Sequence, residues 1–265
     1  MTQYLLTAFL ISAVPTFAAI RLPKILISNM VLQRESEVKI WGWADAGETV
    51  NVTGDWLNTQ ASTKADANGK WHVNIMTGEA GGPHVITIAG KNRIKLENVL
   101  FGEVWIASGQ SNMEIPLIKV SNAYTGIKDA EKEIEDANYP EIRLFQAGNF
   151  SSKEPLDDVQ MGISMYGIPP SDCRWHACTP ETIPTFASTA YFFARALHTQ
   201  LKVPIGIIDA SWGGTSAEAW TPVSGLKELA VIIHTPVGKV FLGVESRVIA
   251  GEVGKSVPEI LEISS

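Results

Sequence analysis

The sequence predicts an α/β protein, with a three-layer α/β/α domain preceded by a small all-β sandwich. Three observations carry this expectation. Between Ile25 and Asn98, short strand-like runs alternate and are separated by turn residues. From Val99 the apolar runs become continuous, the pattern of strands buried on both faces. Thr185 to Leu201 carries helix-spaced apolar residues and leads into a further continuous run, Val203 to Asp209. Strand, helix, strand in one sheet implies a parallel crossover.

Taken in order, the chain opens with a short apolar stretch, Leu5 to Ala19, that ends in small residues. It is too short to span a bilayer and has the form of a secretory leader cleaved after Ala18 or Ala19, so residues 1–19 are expected to be a signal peptide and the protein to be secreted or periplasmic. The alternative is a buried N-terminal strand or helix; the n-region lacks Lys and Arg. Residues 20–98 then form the β module. Its expected strands are Val38–Trp43, Thr49–Gly54, Trp71–Ile75 and Val85–Ala89, bounded by Asp45-Ala46-Gly47, Asn68-Gly69 and Gly81-Gly82-Pro83. Lys70 to Ile75 alternates directly after Asn68-Gly69, a hairpin signal. Such a module can bind a glycan or pack against its neighbour, and no convergent polar cluster in the sequence selects the first. His72 and His84 read as surface or turn residues.

The pattern changes at Asn98, and residues 99–265 are expected to form the α/β/α domain. Val99 to Ala107 is its first strand. Ile127 to Asn138 is a polar helix, with Lys128 to Glu133 as a solvated face. Glu141 to Gln146 is the second strand, and Phe150 to Ser171, broken by Pro and Gly, is a long surface loop. Thr185 is placed to cap the helix that ends at Leu201, whose buried stripe reads Phe186, Ala190, Phe193, Leu197 and Leu201. Val203 to Asp209 is the third strand. Val237 to Val244 can add another, and the residues after Gly251 read as a frayed tail.

Between the first strand and the polar helix lies Ser108-Gly109-Gln110-Ser111-Asn112-Met113-Glu114. A strand, a Gly turn, a serine and a helical turn form the local arrangement of an exposed nucleophile, because the turn lifts a hydroxyl off the end of a sheet. Ser111 in this position equally serves as a helix cap, and the residues alone leave both readings open. It is not a Gly-x-Ser-x-Gly elbow. The second Gly-rich turn, Trp212-Gly213-Gly214, also follows a strand end. Ligands of open α/β sheets bind beyond the carboxyl ends of the strands, so the two turns are placed to meet.

Composition narrows the classes. The 265 residues hold 21 Lys and Arg against 28 Asp and Glu, a net charge of −7 without basic clusters, which argues against nucleic acid or an anionic membrane as partner. No segment could span a bilayer. The two cysteines, Cys173 and Cys178, flank His176 without metal-ligand spacing; a disulfide and two free thiols are both compatible with the sequence. The eight tryptophans are expected in the core.

Four blocks in order resemble the sialate O-acetylesterase family of the SGNH-hydrolase superfamily, whose catalytic domain is flavodoxin-like. They are Leu22-Pro23-Lys24 through Ile40-Trp41-Gly42-Trp43-Ala44, then Gly109-Gln110-Ser111-Asn112-Met113, then Trp175-His176-Ala177-Cys178-Thr179-Pro180 with Phe186 to Phe193, and last Pro204 to Ile208 with Ser211 to Trp220. The resemblance runs from about Leu22 to Pro222. It implies a metal-independent serine esterase, with no cofactor, that removes O-acetyl groups from sialic acid or a related sugar. Ser111 would be the nucleophile, and Gln110, Gly213 and Gly214 would take the oxyanion and substrate-binding positions. The family's later blocks, Gln-Gly-Glu-Ser-Asn and Asp-x-x-His, are not intact here. Pro236 to Arg247 resembles a degraded form of the first, with Glu245-Ser246 kept, and no Asp-x-x-His follows the Gly-rich turn. The resemblance therefore implies a catalytic domain shortened at its C-terminal side, without the base. Of the histidines, His176, His198 and His234, none has an Asp at the family spacing. The alternative is an inactive chain of that family that retains a carbohydrate-binding β module; an acetylxylan-type esterase is a third reading.

Overall fold

The computed structural model describes residues 19–220, except 59, 121–123, 153–155 and 164–167. The expected leader, the expected strand at 237–244, His234 and Glu245 lie outside the described residues.

Among the described residues there are ten strands, three α-helices and a 3-10 turn at Ala217–Trp220. β1 is Val31–Gln33, β2 Glu37–Trp43, β3 Thr49–Gly54, β4 Ala61–Lys64, β5 Lys70–Met76, β6 Gly81–Ala89, β7 Arg93–Gly109, β8 Tyr139–Gln146, β9 Trp175–Cys178 and β10 Ile205–Ser211. The helices are α1 Ser111–Glu114, α2 Ala130–Glu135 and α3 Ser188–Leu201. Eight strands form one mixed sheet in the order β4-β3-β6-β7-β10-β8-β9, with β1 also on β7; β2 and β5 form a separate antiparallel pair.

β7 joins the parts of the large sheet. Its first half pairs antiparallel with β6, Leu100 to Gly102 pair parallel with β1, and Glu103 to Gly109 pair parallel with β10. Asn98, where the sequence pattern changes, lies inside β7 and takes a left-handed φ of 57°. Asn tolerates that region better than most residues, so the strand bends there and continues. At the changeover between neighbours, a Cβ on Gly102 would stand 1.9 Å from the Pro204 carbonyl oxygen, which accepts the Glu103 N–H at 3.0 Å. Only glycine admits that approach.

The apolar pattern sets the packing. β5 alternates strictly between exposed and buried, so Trp71, Val73 and Ile75 face inward with Val38 and Ile40 of β2. These residues share one apolar cluster with Val50 and Val52 of β3, Ile86 and Ile88 of β6, and Val99 and Phe101 of β7. The same cluster reaches Phe145, Trp175 and Ile208, so it also covers one face of β8 to β10. The other face, through Ile142, Leu144, Ile205 and Ile207, packs on Ala190, Tyr191 and Ala194 of α3.

Several local expectations are corrected. The Asn68-Gly69 turn joins β4 of the large sheet to β5 of the pair, because β5 ladders with β2 from Glu37↔Met76 to Trp43↔Lys70 instead of with β4. The polar helix is shorter than its charge pattern implied and has no buried residue; Arg195 of α3 holds it through Glu133. α3 begins at Ser188 without a side-chain cap, so Thr185 is not its cap. The Ser188 N–H donates instead to the Ile115 carbonyl at 2.8 Å, which ties the helix start to the segment after α1. Its buried stripe is Ser188, Ala190, Tyr191 and Ala194. Phe193, expected in that stripe, is 41% exposed and meets the 46% exposed Trp105 edge-on at 5.2 Å. Ala190 and Ala194 flank the fully buried Tyr191 in the face that packs on the sheet. Trp175 to Cys178, in the third block of the family resemblance, is the edge strand β9. Cys173 and Cys178 are free thiols. They pack in the two different clusters, on opposite faces of the sheet, and burial pushes the Cys178 thiol up to about 12. Among the described residues, no helix is long and apolar enough to cross a membrane.

β10 carries a buried carboxylate, Asp209. Its Oδ1 accepts the Ser211 hydroxyl at 2.5 Å and the Ser211 N–H at 3.1 Å. Burial nevertheless pushes its pKa up to about 7 from the model-peptide 3.8. Between those values the folded chain holds a proton that the unfolded chain has released. The stability from this group is therefore fully present below about pH 4 and is lost as pH rises towards about 7. Urea titrations should show the midpoint falling between about pH 5 and about pH 7, and the fall should be smaller in Asp209→Asn. Equal slopes would show that Asp209 is ionised throughout. Gly102→Ala should lower stability by about 1–3 kcal/mol or more through the Pro204 clash, read from the same denaturation curves.

Candidate active site

The site is built where β7 and β10 end. They run parallel in register, with Ala210 opposite Ser108 and Ser211 opposite Gly109. The Trp212 N–H donates to the Gly109 carbonyl at 2.9 Å, which holds the two turns side by side beyond the strand ends. Gly109 takes a φ of 143°, and a Cβ there would lie 2.8 Å from Met113 Cγ, so the chain turns tightly into α1. Gln110 caps that single turn: its Oε1 accepts the Ser111 N–H at 2.9 Å and the Ser111 hydroxyl at 2.6 Å. Ser111 is half-buried and Gln110 exposed.

A buried carboxylate fastens this arrangement. Glu114, at the end of α1, is 6% exposed. Its Oε2 accepts the Gly213 N–H at 2.6 Å and the Tyr124 hydroxyl, and its Oε1 accepts the Asn149 amide at 2.7 Å. One side chain thus ties the serine turn to the second Gly turn and to two loops. A Cβ on Gly213 would stand 2.4 Å from Glu114 Oε2 and 2.5 Å from Tyr124 Oη, so glycine is required for the carboxylate to reach the backbone. The Gly213 amide is therefore occupied. Gly214 is exposed, with a φ of 79°, and its N–H has no acceptor among the described residues. Asp209 lies beneath, also near Glu114, with Gln146 of β8 donating to its Oδ2 at 3.4 Å. The helix α3 supports the turn from the side, through the Thr189 hydroxyl on the Asn112 carbonyl at 3.0 Å.

The structure thus brings Ser111, Gln110, Gly213 and Gly214 to one end of the sheet. Sequence reasoning gave no role to Glu114, Tyr124, Asn149 or Asp209. The available signal for Glu114 was an acid set between Met113 and Ile115-Pro116-Leu117, an apolar context that an exposed carboxylate does not need.

The described histidines stand elsewhere. His176 pairs with Asp172 at 2.9 Å on β9, three strands from β7, which places it about 14 Å away by strand spacing. His84 pairs with Asp55 at 3.0 Å and stacks on Phe101. His198 bonds the Val203 carbonyl at 2.8 Å at the far end of α3. His72 is exposed on β5. Among the described residues, the Ser111 hydroxyl has Gln110 as its hydrogen-bond partner, and no group of three His, Cys, Asp or Glu could hold a metal ion.

No protein-family model matches the chain. It is similar to sialate O-acetylesterases from Mus musculus, 31% identical over 213 residues, Rattus norvegicus, 32% over 214, and Homo sapiens, 30% over 215. The alignments cover 76%, 76% and 77% of this chain but 37%, 37% and 39% of those proteins, so the chain spans well under half the length of the relatives it matches. A solved structure, that of a carbohydrate acetylesterase from Xanthomonas citri, superposes with a TM-score of 0.68 at 33% identity, over 79% of this chain and 44% of that one. With three quarters of its residues aligned to these relatives, the chain belongs to the sialate O-acetylesterase family.

Proposed function

We propose that the protein is a carbohydrate O-acetylesterase that hydrolyses O-acetyl esters of sialic acid or a related sugar through Ser111. The observation that carries this reading is the placement of Ser111 and the Gly213-Gly214 turn at the ends of adjacent parallel strands, fastened by Glu114. The Ser111 oxygen attacks the acetyl carbonyl, the sugar alkoxide leaves with a proton, and water then releases acetate from the acetyl-serine. The Gly214 N–H is the oxyanion donor in this scheme, joined by the Ser111 N–H once Gln110 Oε1 releases it; the Gly213 N–H keeps the turn in place. Gln110 orients the serine hydroxyl before attack. We read the described helices and sheet as part of an SGNH-type three-layer domain beginning near residue 99, with residues 20–98 as a sandwich module in front of it. Residues 1–19 are read as a leader for export.

A second reading has its own observation: the Ser111 hydroxyl donates to Gln110 Oε1, and no described histidine is near enough to take its proton. It makes the chain an inactive member of the family. Hydrolysis of p-nitrophenyl acetate and of an O-acetylated sialic acid separates the two. The esterase reading expects turnover by the parent and a loss of about a thousandfold or more in Ser111→Ala. Equal rates in parent and variant would leave the inactive reading.

Glu114→Gln exchanges an acceptor for an amide group that cannot accept from Gly213, Tyr124 and Asn149 together. It should cost about 1–3 kcal/mol for each donor left unpaired. Hydrogen exchange at the Gly213 amide should accelerate beyond the global change, whereas unchanged protection would remove Glu114 from the role of fastener.

A further inference from the structure

The β2–β5 pair leaves one face turned away from the core. On it, Trp41 stands opposite His72 and Trp43 opposite Lys70, with Lys39 one step further along β2. These five residues line a cleft of about 250 Å3, whose walls are completed by Thr63, Lys64 and Asp66 beside β4 and by Asp157 from the loop after β8. None of its lining residues belongs to the Ser111 site.

The lining has the chemistry of a sugar site. Trp41 and Trp43 are spaced two residues apart on one strand face, and both are half-buried. The Arg21 guanidinium covers Trp43 at 4.9 Å, whereas Trp41 has no ring partner among the described residues. Indole faces offer a flat apolar platform with a polar edge, as a pyranose ring requires.

Charge then selects among sugars. Lys39, Lys64 and Lys70 line the cleft with Asp66 and Asp157, and both Lys39 and Lys70 have partners. Both carboxylates are engaged. Asp66 Oδ1 accepts the N–H groups of Asn68 and Lys70 at 2.8 and 2.9 Å, and Asp157 pairs with Lys70 at 2.6 Å. Lys64 makes no ion pair among the described residues.

We propose that this cleft binds a carboxylated sugar, with the ring on Trp41 and the carboxylate towards Lys64. The volume lies just under the ~300–1,000 Å3 typical of sites for drug-sized ligands, which suits one sugar residue and not an oligosaccharide. Such a site holds an acidic glycan on the β module and raises its local concentration for a second site on the same chain. The inference stands apart from the role of Ser111, since it concerns binding alone.

The test is a ligand-observed NMR titration of the whole chain with the methyl glycoside of N-acetylneuraminic acid and, separately, with neutral methyl glucoside. The acidic sugar should saturate, and the neutral one should bind about tenfold more weakly. Trp41→Ala should weaken the acidic sugar by about tenfold. Lys64→Glu, at an exposed position, should remove the preference for the acidic sugar and decides the matter if Trp41→Ala does not fold. Ser111→Ala should bind as the parent does. No saturation by the acidic sugar, equal binding of both sugars, binding indifferent to Trp41→Ala and Lys64→Glu, or binding lost in Ser111→Ala would each overturn the proposal.

Discussion

β7 must satisfy its backbone groups against different neighbours along one continuous run, and the rest of the molecule is placed by that requirement. A strand in the middle of a sheet cannot leave N–H and C=O groups unpaired without cost. β7 meets the condition by pairing with β6, then β1, then β10. The changeover falls at Gly102, where the Pro204 backbone comes too close for any side chain. One apolar cluster consequently runs from Val38 and Ile40 through Phe101 to Phe145 and Ile208. The N-terminal strands and the parallel strands share a core, so a disturbance at Gly102 is felt on both sides of it.

The same strand delivers the site. Because β7 and β10 are parallel and in register, their two outgoing turns leave the sheet side by side. Proximity alone would not hold two glycine-containing turns in one geometry. Glu114 does so by accepting hydrogen bonds from three separate segments. A buried carboxylate is costly unless its lone pairs are filled, and here they are. The cost and the arrangement are therefore linked: removing any donor leaves a buried acceptor that the interior does not solvate. Asp209 also accepts three hydrogen bonds, two from Ser211 and one from Gln146, and its burial nevertheless holds its proton towards neutral pH.

Much of this was legible in the chain. The alternation of Lys70 to Met76 appears in the burial of β5 without exception. The continuous run Val99 to Ala107 lies in β7, residues 205–209 of the run Val203 to Asp209 lie in β10, and the serine and Gly-rich turns follow these strands as expected. What failed was the rotation of α3. Phe186 and Ala190 are buried as periodicity implied, but the stripe continues through Tyr191 and Ala194, while Phe193 turns outward to Trp105 and Leu201 is exposed. Strand partners also escaped sequence reasoning. A turn signal such as Asn68-Gly69 fixes the local bend and says nothing of whether the next strand ladders with the last one.

The sequence by itself determined the local states: which runs are extended, where the chain turns, and which serine sits after a strand and before a helical turn. Those follow from φ/ψ preference and from the period of apolar residues, which are properties of neighbours in the chain. Only the tertiary structure decided that Glu114 fastens the site, that Gly213 spends its amide on that carboxylate, and that Trp41, packed partly against the core, lines a cleft with Trp43. Each of these depends on groups brought together from distant positions, such as Glu114 with Gly213 and Trp43 with Asp157. Their energies arise from desolvation and donor matching in three dimensions, and a linear pattern carries no record of either.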